Sequence, residues 1–332
     1  MAVNSSLSNT DSSTGPTLGV VIVSYNTRAL LEACLDALHV DLEVAGLDQR
    51  CDVWVVDNAS ADGSADLVRQ RYPWVRLEPL ADNRGFTAAN NLALRHWLAA
   101  GDGGPAWLLL LNPDTAVRPG AIATLIAALE AAPDAAMAGP ALVYPNGDFQ
   151  HAAFHFPGVV QTWLDLVPIA RLADSRFNGR YPRARYSAGQ PFDVDFVLGA
   201  CMLLRRTAVQ RVGPLDERYF MYCEEIDWCR RLRAAGWRTL CVPGATVLHH
   251  GGASTAQFQA FSFVQLWRSR RRYFAQHGGP VQRALVGAAL RVGLALRAAR
   301  DRHAARTGTL SAEECTRRVT AYRQVLADPG RP

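Results

Sequence analysis

The sequence predicts an α/β fold built on a mostly parallel sheet flanked by helices. Short β-branched or leucine-rich runs alternate with segments of helical period, and Ser, Asp, Gly and Pro clusters separate them. Three of the apolar runs also end in polar residues. In open α/β sheets such strand ends border the crevice in which ligands bind. A chain of 332 residues with 49% apolar content is long enough for one large domain, or for a domain with an appendage.

The elements follow in order. Residues 1–17, "MAVNSSLSNTDSSTGPT", lack the basic start and apolar middle of a secretory signal and read as a disordered leader. From residue 18, "LGVVIVSYN" is a buried parallel strand ending at Tyr25 and Asn26. "TRALLEACLDAL" then places Leu31, Cys34, Leu35 and Leu38 at helical spacing. "DVWVVDN" is the second strand, ending at Asp57 and Asn58, and after "SADGS" a helix restarts near Ala65. "GFTAANNLALRHWLAAG" reads as a helix with Gly101 at its C-terminal cap. "AWLLLLN" is the third buried strand, and "PGAIATLIAALEAAP" is a helix opened by Pro119 and closed by Pro133. The Pro, Arg and Tyr content of residues 178–191 predicts an irregular loop. "FDVDFVLGACMLLRR" follows as a strand with glycine inside it, a mark of close approach by ligand or backbone. The last helix of this series starts near Glu224 and is capped by Gly236.

Chemistry gathers at the strand ends. Asn112, Pro113 and Asp114 end a string of leucines, which makes Asp114 either part of an ordinary turn or a carboxylate emerging into a crevice. Three polar strand ends together favour the crevice. No GxGxxG follows the first strand and no GxxxxGK[ST] occurs, so a bound phosphate must be met in another way. A strand-end Asp with Mg²⁺ or Mn²⁺ does this, because such ions bind few carboxylates together with the substrate's own phosphates. His249, at the end of "ATVLHH", is either a packed histidine or a further ligand that suits Mn²⁺ better than Mg²⁺; the "GGAST" after it reads as a flexible loop able to close over a site.

Glu225 shares a helix face with Cys229 and Leu232, at i, i+4 and i+7, whereas Glu224 falls with Trp228 and Arg231. Acids favour helix N-termini for electrostatic reasons alone, and that accounts for Glu224 and Asp227 better than for the inward Glu225. A carboxylate pushed toward apolar surroundings gains a raised pKa, as a general base near neutral pH requires. The seven cysteines lack paired CxxC spacing; they read as reduced thiols of a cytosolic protein and imply no zinc site.

In their order, "VVIVSYN", "VVDNASADGS", "DNRGFTAANN", "LLLLNPD", "FVLGACMLLRR", "FMYCEEIDWCRRLRAAGW" and "VLHHGGAST" resemble the inverting glycosyltransferases of family 2, above all their rhamnosyltransferase branch, from residue 18 to about 256. The resemblance implies a GT-A fold with a nucleotide-diphospho-sugar lying across the carboxyl edge of the sheet. It implies that Val23, Tyr25 and Asp57 hold the base and ribose, that Arg84 of "DNRG" approaches the base or phosphates, and that Asn26, Asn83 and Gly85 also contact the nucleotide sugar. Asp114, with Asn112, stands where the family has its D-x-D and would bind a divalent cation, Mg²⁺ or Mn²⁺, on the diphosphate, with His249 completing the metal site. Asn112 replaces the first carboxylate of that motif. Glu225 falls at the position of the base with Glu224 as its neighbour, and Gly199, Ala200 and Cys201 fall where the acceptor sugar docks. The implied reaction moves a sugar, with dTDP-rhamnose as the favoured donor, to a saccharide acceptor carried on a polyprenyl lipid in cell-surface polysaccharide synthesis. A UDP-sugar donor, a non-catalytic nucleotide-sugar-binding subunit and a nucleotidyl-transferring enzyme are the competing readings.

Residues 18–265 are expected to form the transferase domain and 266–332 a basic helical extension. Arg283, Arg291, Arg297, Arg300, Arg302 and Arg306 face a single acid, Asp301, between residues 280 and 306. The stretch is either an interfacial helix resting on an anionic membrane surface or an ordinary helix packed on the domain with its arginines in water. "ALVGAALRVGLAL" is broken by Arg291 and falls short of the roughly 18 apolar residues that a membrane span needs. The expected setting is the cytoplasm, peripheral to the inner face of the cell membrane; nucleic acid is not an expected partner, since basic charge alone is a weak sign of it.

Overall fold

A computed structural model describes residues 15–251 and 259–327. Most of the expected leader, and residues 252–255 of the expected loop after His249, lie outside the described residues. β1 (Leu18–Ser24) is buried along its whole length, as its β-branched composition demands of a strand covered on both faces. α1 (Arg28–Ala45) returns the chain to β2 (Cys51–Asp57), which lies parallel to β1 with Leu18 opposite Cys51 and Ser24 opposite Asp57. α2 (Ser64–Arg71) leads to the edge strand β3 (Val75–Pro79). α3 (Gly85–Ala99) leads to β4 (Trp107–Leu111), parallel to β1 on its other side. The parallel strands therefore stop together, and the segments after Ser24, Asp57 and Leu111 meet at one edge.

The second half wraps this edge. β5 (Thr115–Val117), α4 (Ala121–Glu130) and β6 (Ala135–Val143) follow β4. The buried Asp41 of α1 accepts from the N–H groups of Gly120, Ala121 and Ile122, so an earlier helix caps the start of α4. Next come β7 (Phe149–Gln150), β8 (Ala153–Phe154), α5 (Val159–Leu166) and the short α6 (Arg183–Ser187). The expected glycine-containing strand is three strands: β9 (Phe192–Val194), β10 (Phe196–Val197) and β11 (Cys201–Arg205), with Gly199 in the turn between the last two. β11 runs antiparallel between β4 and β6. α7 (Arg206–Val212) and α8 (Glu224–Ala234) precede β12 (Arg238–His249), which is parallel to β6 and antiparallel to β5. An irregularity between Val242 and Thr246 bends β12 and brings His249 opposite Thr115, one residue past Asp114.

Three helices close the described chain: α9 (Gln259–His277), α10 (Pro280–Arg306) and α11 (Ala312–Ala327). The expected division at residue 265 falls inside α9. Tyr273 and Phe274 of α9 join the main core, while Val264 and Trp267 join a second core with Leu166, Leu290 and Leu294. α10 packs so closely on α5 that a Cβ on Gly293 would lie 2.7 Å from Leu166, and Arg297 donates to the carbonyls of Asp165 and Leu166 at the end of α5. One of the six arginines of α10 is thus structural. Among the described residues no helix is long and apolar enough to cross a membrane.

Candidate active site

A cavity of about 1030 Å³ opens at the common edge of β1, β2 and β4. Its wall includes Val23, Tyr25, Asn83, Gly85, Asn112, Asp114, Gly199, Ala200, Glu224, Glu225 and His249, so residues far apart in the chain converge as the sequence predicts. Asn26, Asp57, Arg84 and Cys201 are not on that wall. Cys201 is buried in β11, with burial holding its thiol protonated. Arg84 stands half exposed at the start of α3, its Nε 3.5 Å from the Asp82 carboxylate.

The loops of the first two strands brace one another. Asn26, at φ 52°, donates from its N–H to the Ser60 hydroxyl and accepts from the N–H of Ala61. Asn58 donates to Asn83 and to the Gly85 carbonyl, and accepts from the Arg84 N–H. Asp57 accepts from the Ser60 N–H through one carboxylate oxygen; the other is buried with no partner. Gly85 is required where it stands. Its φ is +80°, and a Cβ there would lie 2.4 Å from the carbonyl oxygen of Phe220.

The second corner holds Asp114 and His249, both buried. Asn112 is anchored by its N–H to the Ala200 carbonyl, which turns the chain out of β4 and aims Asp114 inward. One Asp114 oxygen and the Asn112 side-chain oxygen are buried without hydrogen-bond partners. Nε2 of His249 lies 3.5 Å from Asp114 Oδ1. Its other ring nitrogen lies 3.0 Å from the side-chain oxygen of Gln150, an acceptor, and this contact holds the ring with Nε2 toward the corner. Gln150 also lines the cavity. It arrives on a two-residue strand with neither period nor motif, so sequence reasoning passed over it. Unpartnered buried oxygens beside an oriented imidazole fit a divalent cation. Among the described residues no cluster of three or more His, Cys, Asp and Glu forms a closed metal cage. A cation here would take at most a few ligands from the protein and the rest from a bound ligand.

Glu224 and Glu225 occupy the third corner, at the N-terminus of α8. Tyr222 and Cys223 enter this helix with φ of 68° and 64°, left-handed conformations that cost free energy in residues with side chains. Both carboxylates are buried, each with an oxygen that finds no partner. Glu224 and Trp228 are as buried as Glu225, with Trp228 donating from Nε1 to the carbonyl of Gly213 at the end of α7; helical period alone did not separate the two. Asp227 behaves differently. It is paired with Arg231 and His277 at 2.8 Å each and is therefore structural. Burial pushes the Glu225 carboxyl up to about 7, against the lowering pull of backbone N–H groups at the helix start and of the Arg270 guanidinium. Burial, and then the neighbouring Glu225 charge, hold Glu224 well above the carboxylate range. Gly199 sits beside Glu225, where an added Cβ would meet its side chain at 3.9 Å, so the turn before β11 leaves room next to this carboxylate.

A further wall comes from α9, where Phe261, Ser262 and Gln265 line the cavity. Phe261 is 48% exposed and meets Phe220 edge to face at 5.8 Å. Arg270, farther along α9, is held by Asp165 of α5. The motifs read from the sequence stop at about residue 256, before this helix, and nothing in its period marks it as part of a site.

Residues 19–213 match the family model described as Glycosyl transferase family 2. The chain is 34% identical over 285 residues to the N-acetylglucosaminyl-diphospho-decaprenol L-rhamnosyltransferase of Mycobacterium tuberculosis, across 84% of this chain and 91% of that one. To the dTDP-rhamnosyl transferase RfbF of Shigella flexneri it is 24% identical over 259 residues, 76% of this chain and 75% of that one. The mannosyltransferase PcManGT of Pyrobaculum calidifontis, solved with GDP-Man and Mn²⁺, shares the fold with a TM-score of 0.52 at 17% identity, over 95% of this chain and 88% of that one.

Proposed function

The chain belongs to glycosyl transferase family 2 and has the GT-A fold, and from that premise we propose that it transfers L-rhamnose from dTDP-rhamnose, with inversion, to a saccharide on a polyprenyl diphosphate. The activities of the two relatives support this donor and acceptor. The observation that carries the chemistry is the facing of two unpaired buried carboxylates, Glu224 and Glu225, and the Asp114–His249 corner across one cavity. A protein that only bound nucleotide sugars would have no use for a carboxyl held near neutral pKa beside the acceptor turn.

The donor would lie along the ends of β1 and β2, with its base and ribose against Val23 and Tyr25 and its diphosphate toward Asp114. Asp57 stands behind this wall and braces the loop after β2 by accepting from the Ser60 N–H. Asp114 and His249, with Asn112 beside them, would hold Mn²⁺ or Mg²⁺, which as a Lewis acid offsets charge developing on the leaving diphosphate. Glu225 takes the proton of an acceptor hydroxyl as that oxygen bonds to the anomeric carbon. The bond from that carbon to the diphosphate breaks on the opposite face, its electron pair leaving with the phosphate. Glu224, kept neutral, prevents a second buried charge from opposing ionisation of the base. Gly199, Ala200 and the Phe261 wall would hold the acceptor sugar.

Purified protein should form a rhamnosyl lipid from dTDP-rhamnose and polyprenyl-diphospho-N-acetylglucosamine. Transfer from a UDP-sugar but not from dTDP-rhamnose would overturn the donor, and binding of both substrates without transfer would overturn the enzymatic reading.

A further inference from the structure

We propose that the outward face of α10 docks on an anionic lipid bilayer. The surface is distinct from the cavity, and the proposal stands whichever sugar is transferred. Val281, Leu285, Val292 and Leu296 are 73%, 51%, 50% and 49% exposed. With the exposed Ala288 and Ala295 they recur every three or four residues and form one stripe from Val281 to Leu296, about 24 Å along a 27-residue helix. The inward face is already used, through Leu290, Leu294 and Ala298, in the core shared with α5, α9 and α11. Single exposed apolar residues are ordinary; a continuous stripe of them marks an interaction surface.

Charge identifies the occupant. Arg283, Arg291, Arg300, Arg302 and Arg306 of the same helix are exposed. Its one acid, Asp301, is buried and accepts from the Tyr322 hydroxyl at 2.8 Å. The exposed face of α10 therefore carries cations and no anion. Helical spacing sets Arg291, Arg302 and Arg306 on the stripe or at its margin. At its C-terminal end Arg302 and Arg306 line a hollow of about 500 Å³ against α11, roomy enough for a phosphate headgroup. A second copy of the chain laid on this stripe would set arginine against arginine or against valine and leucine, with no carboxylate to answer. A bilayer answers both features: apolar side chains enter the acyl boundary while the long arginine stems carry their guanidinium groups out to lipid phosphates. A lipid-linked acceptor would be met at the same surface.

The test is sedimentation of the full-length protein with vesicles of phosphatidylcholine alone or with 30% phosphatidylglycerol, beside two double variants at exposed positions. These are Leu285→Ser with Val292→Ser, and Arg302→Ser with Arg306→Ser. The parent should bind the anionic vesicles, bind the neutral ones at least tenfold less, and be released by salt. Each double variant should lose about tenfold in binding while keeping the parent's melting temperature and its transfer rate to a short-chain, water-soluble acceptor. Equal binding by parent and variants, or equal binding to neutral and anionic vesicles, overturns the proposal. So does a parent dimer, seen by light scattering, that both variants dissociate, because the stripe is then a seam between copies.

Discussion

Gln150 Oε1 lies 3.0 Å from Nδ1 of His249 as a hydrogen-bond acceptor, and the ring so held turns Nε2 toward Asp114. The glutamine thereby fixes the ring orientation of a residue proposed to hold the cation. Partners behind metal-bound histidines are typically worth about 10–100-fold in metal affinity. Gln150→Leu should weaken Mn²⁺ binding in the presence of dTDP by that range, read as free Mn²⁺ by electron paramagnetic resonance. Gln150→Glu, which still accepts from Nδ1–H, should restore most of it. Unchanged Mn²⁺ affinity in the leucine variant would leave Gln150 a packing residue.

Asp114→Ala should abolish the metal-dependent part of donor affinity, because Asp114 is the sole carboxylate of its turn. Asn112→Asp should have the opposite sign. The Asn112 oxygen is buried on the cavity wall with no partner, and a charge there should tighten Mn²⁺. Titrating both variants with dTDP, with and without Mn²⁺, checks this; a donor affinity indifferent to metal in the parent would count against the assignment.

The acid pair predicts a pH dependence in two observables. With its carboxyl raised to about 7, Glu225 is protonated and inactive as a base at pH 5 to 6, so kcat should climb about tenfold per pH unit and level off above pH 7. Stability moves the other way. The unfolded chain ionises this group near the ordinary carboxylate value while the folded chain keeps its proton, so stability falls as pH rises through the window up to about 7. Glu225→Gln escapes this cost; its melting temperature should exceed the parent's at pH 8, and the gap should narrow toward pH 5.

Gly85→Ala combines a φ of +80° with a Cβ only 2.4 Å from the Phe220 carbonyl. Neither strain has a flexible side chain to absorb it, so a loss of more than about 1 kcal/mol is expected in urea unfolding. Phe220 lines the cavity and meets Phe261, so acceptor KM should rise as well.

What the sequence displayed and what it hid divide along physical lines. β1, β2 and β4 are buried on both faces, so they read as unbroken apolar runs, and their polar ends, including Asp114, marked the crevice. β5 and β7 have three and two residues and carry no period, which is why Gln150 went unseen. Gly199 was expected inside one long strand; in the fold it forms the turn that makes room beside Glu225. Helical spacing marked Glu225 as inward but missed that Glu224 is buried too, since tertiary packing buries both faces of this helix end. For α10 the packed-helix reading has its basis in the fold, where one face joins the core; the other, exposed among the described residues, is apolar and cationic, and the interfacial reading rests on it as a proposal.

Which carboxylate takes the proton is settled by measuring the transfer rate and dTDP-rhamnose affinity of Glu225→Gln beside Glu224→Gln, on the same lipid-linked acceptor. A positioned base contributes on the order of 10²–10⁴-fold, so Glu225→Gln should fall by that factor in kcat while donor affinity and fold are kept. Glu224→Gln, which replaces a neutral acid with a neutral amide, should stay within about tenfold of the parent. A dead Glu224 variant beside an active Glu225 variant, or a Glu225 variant whose donor affinity falls in step with its rate, would contradict the account.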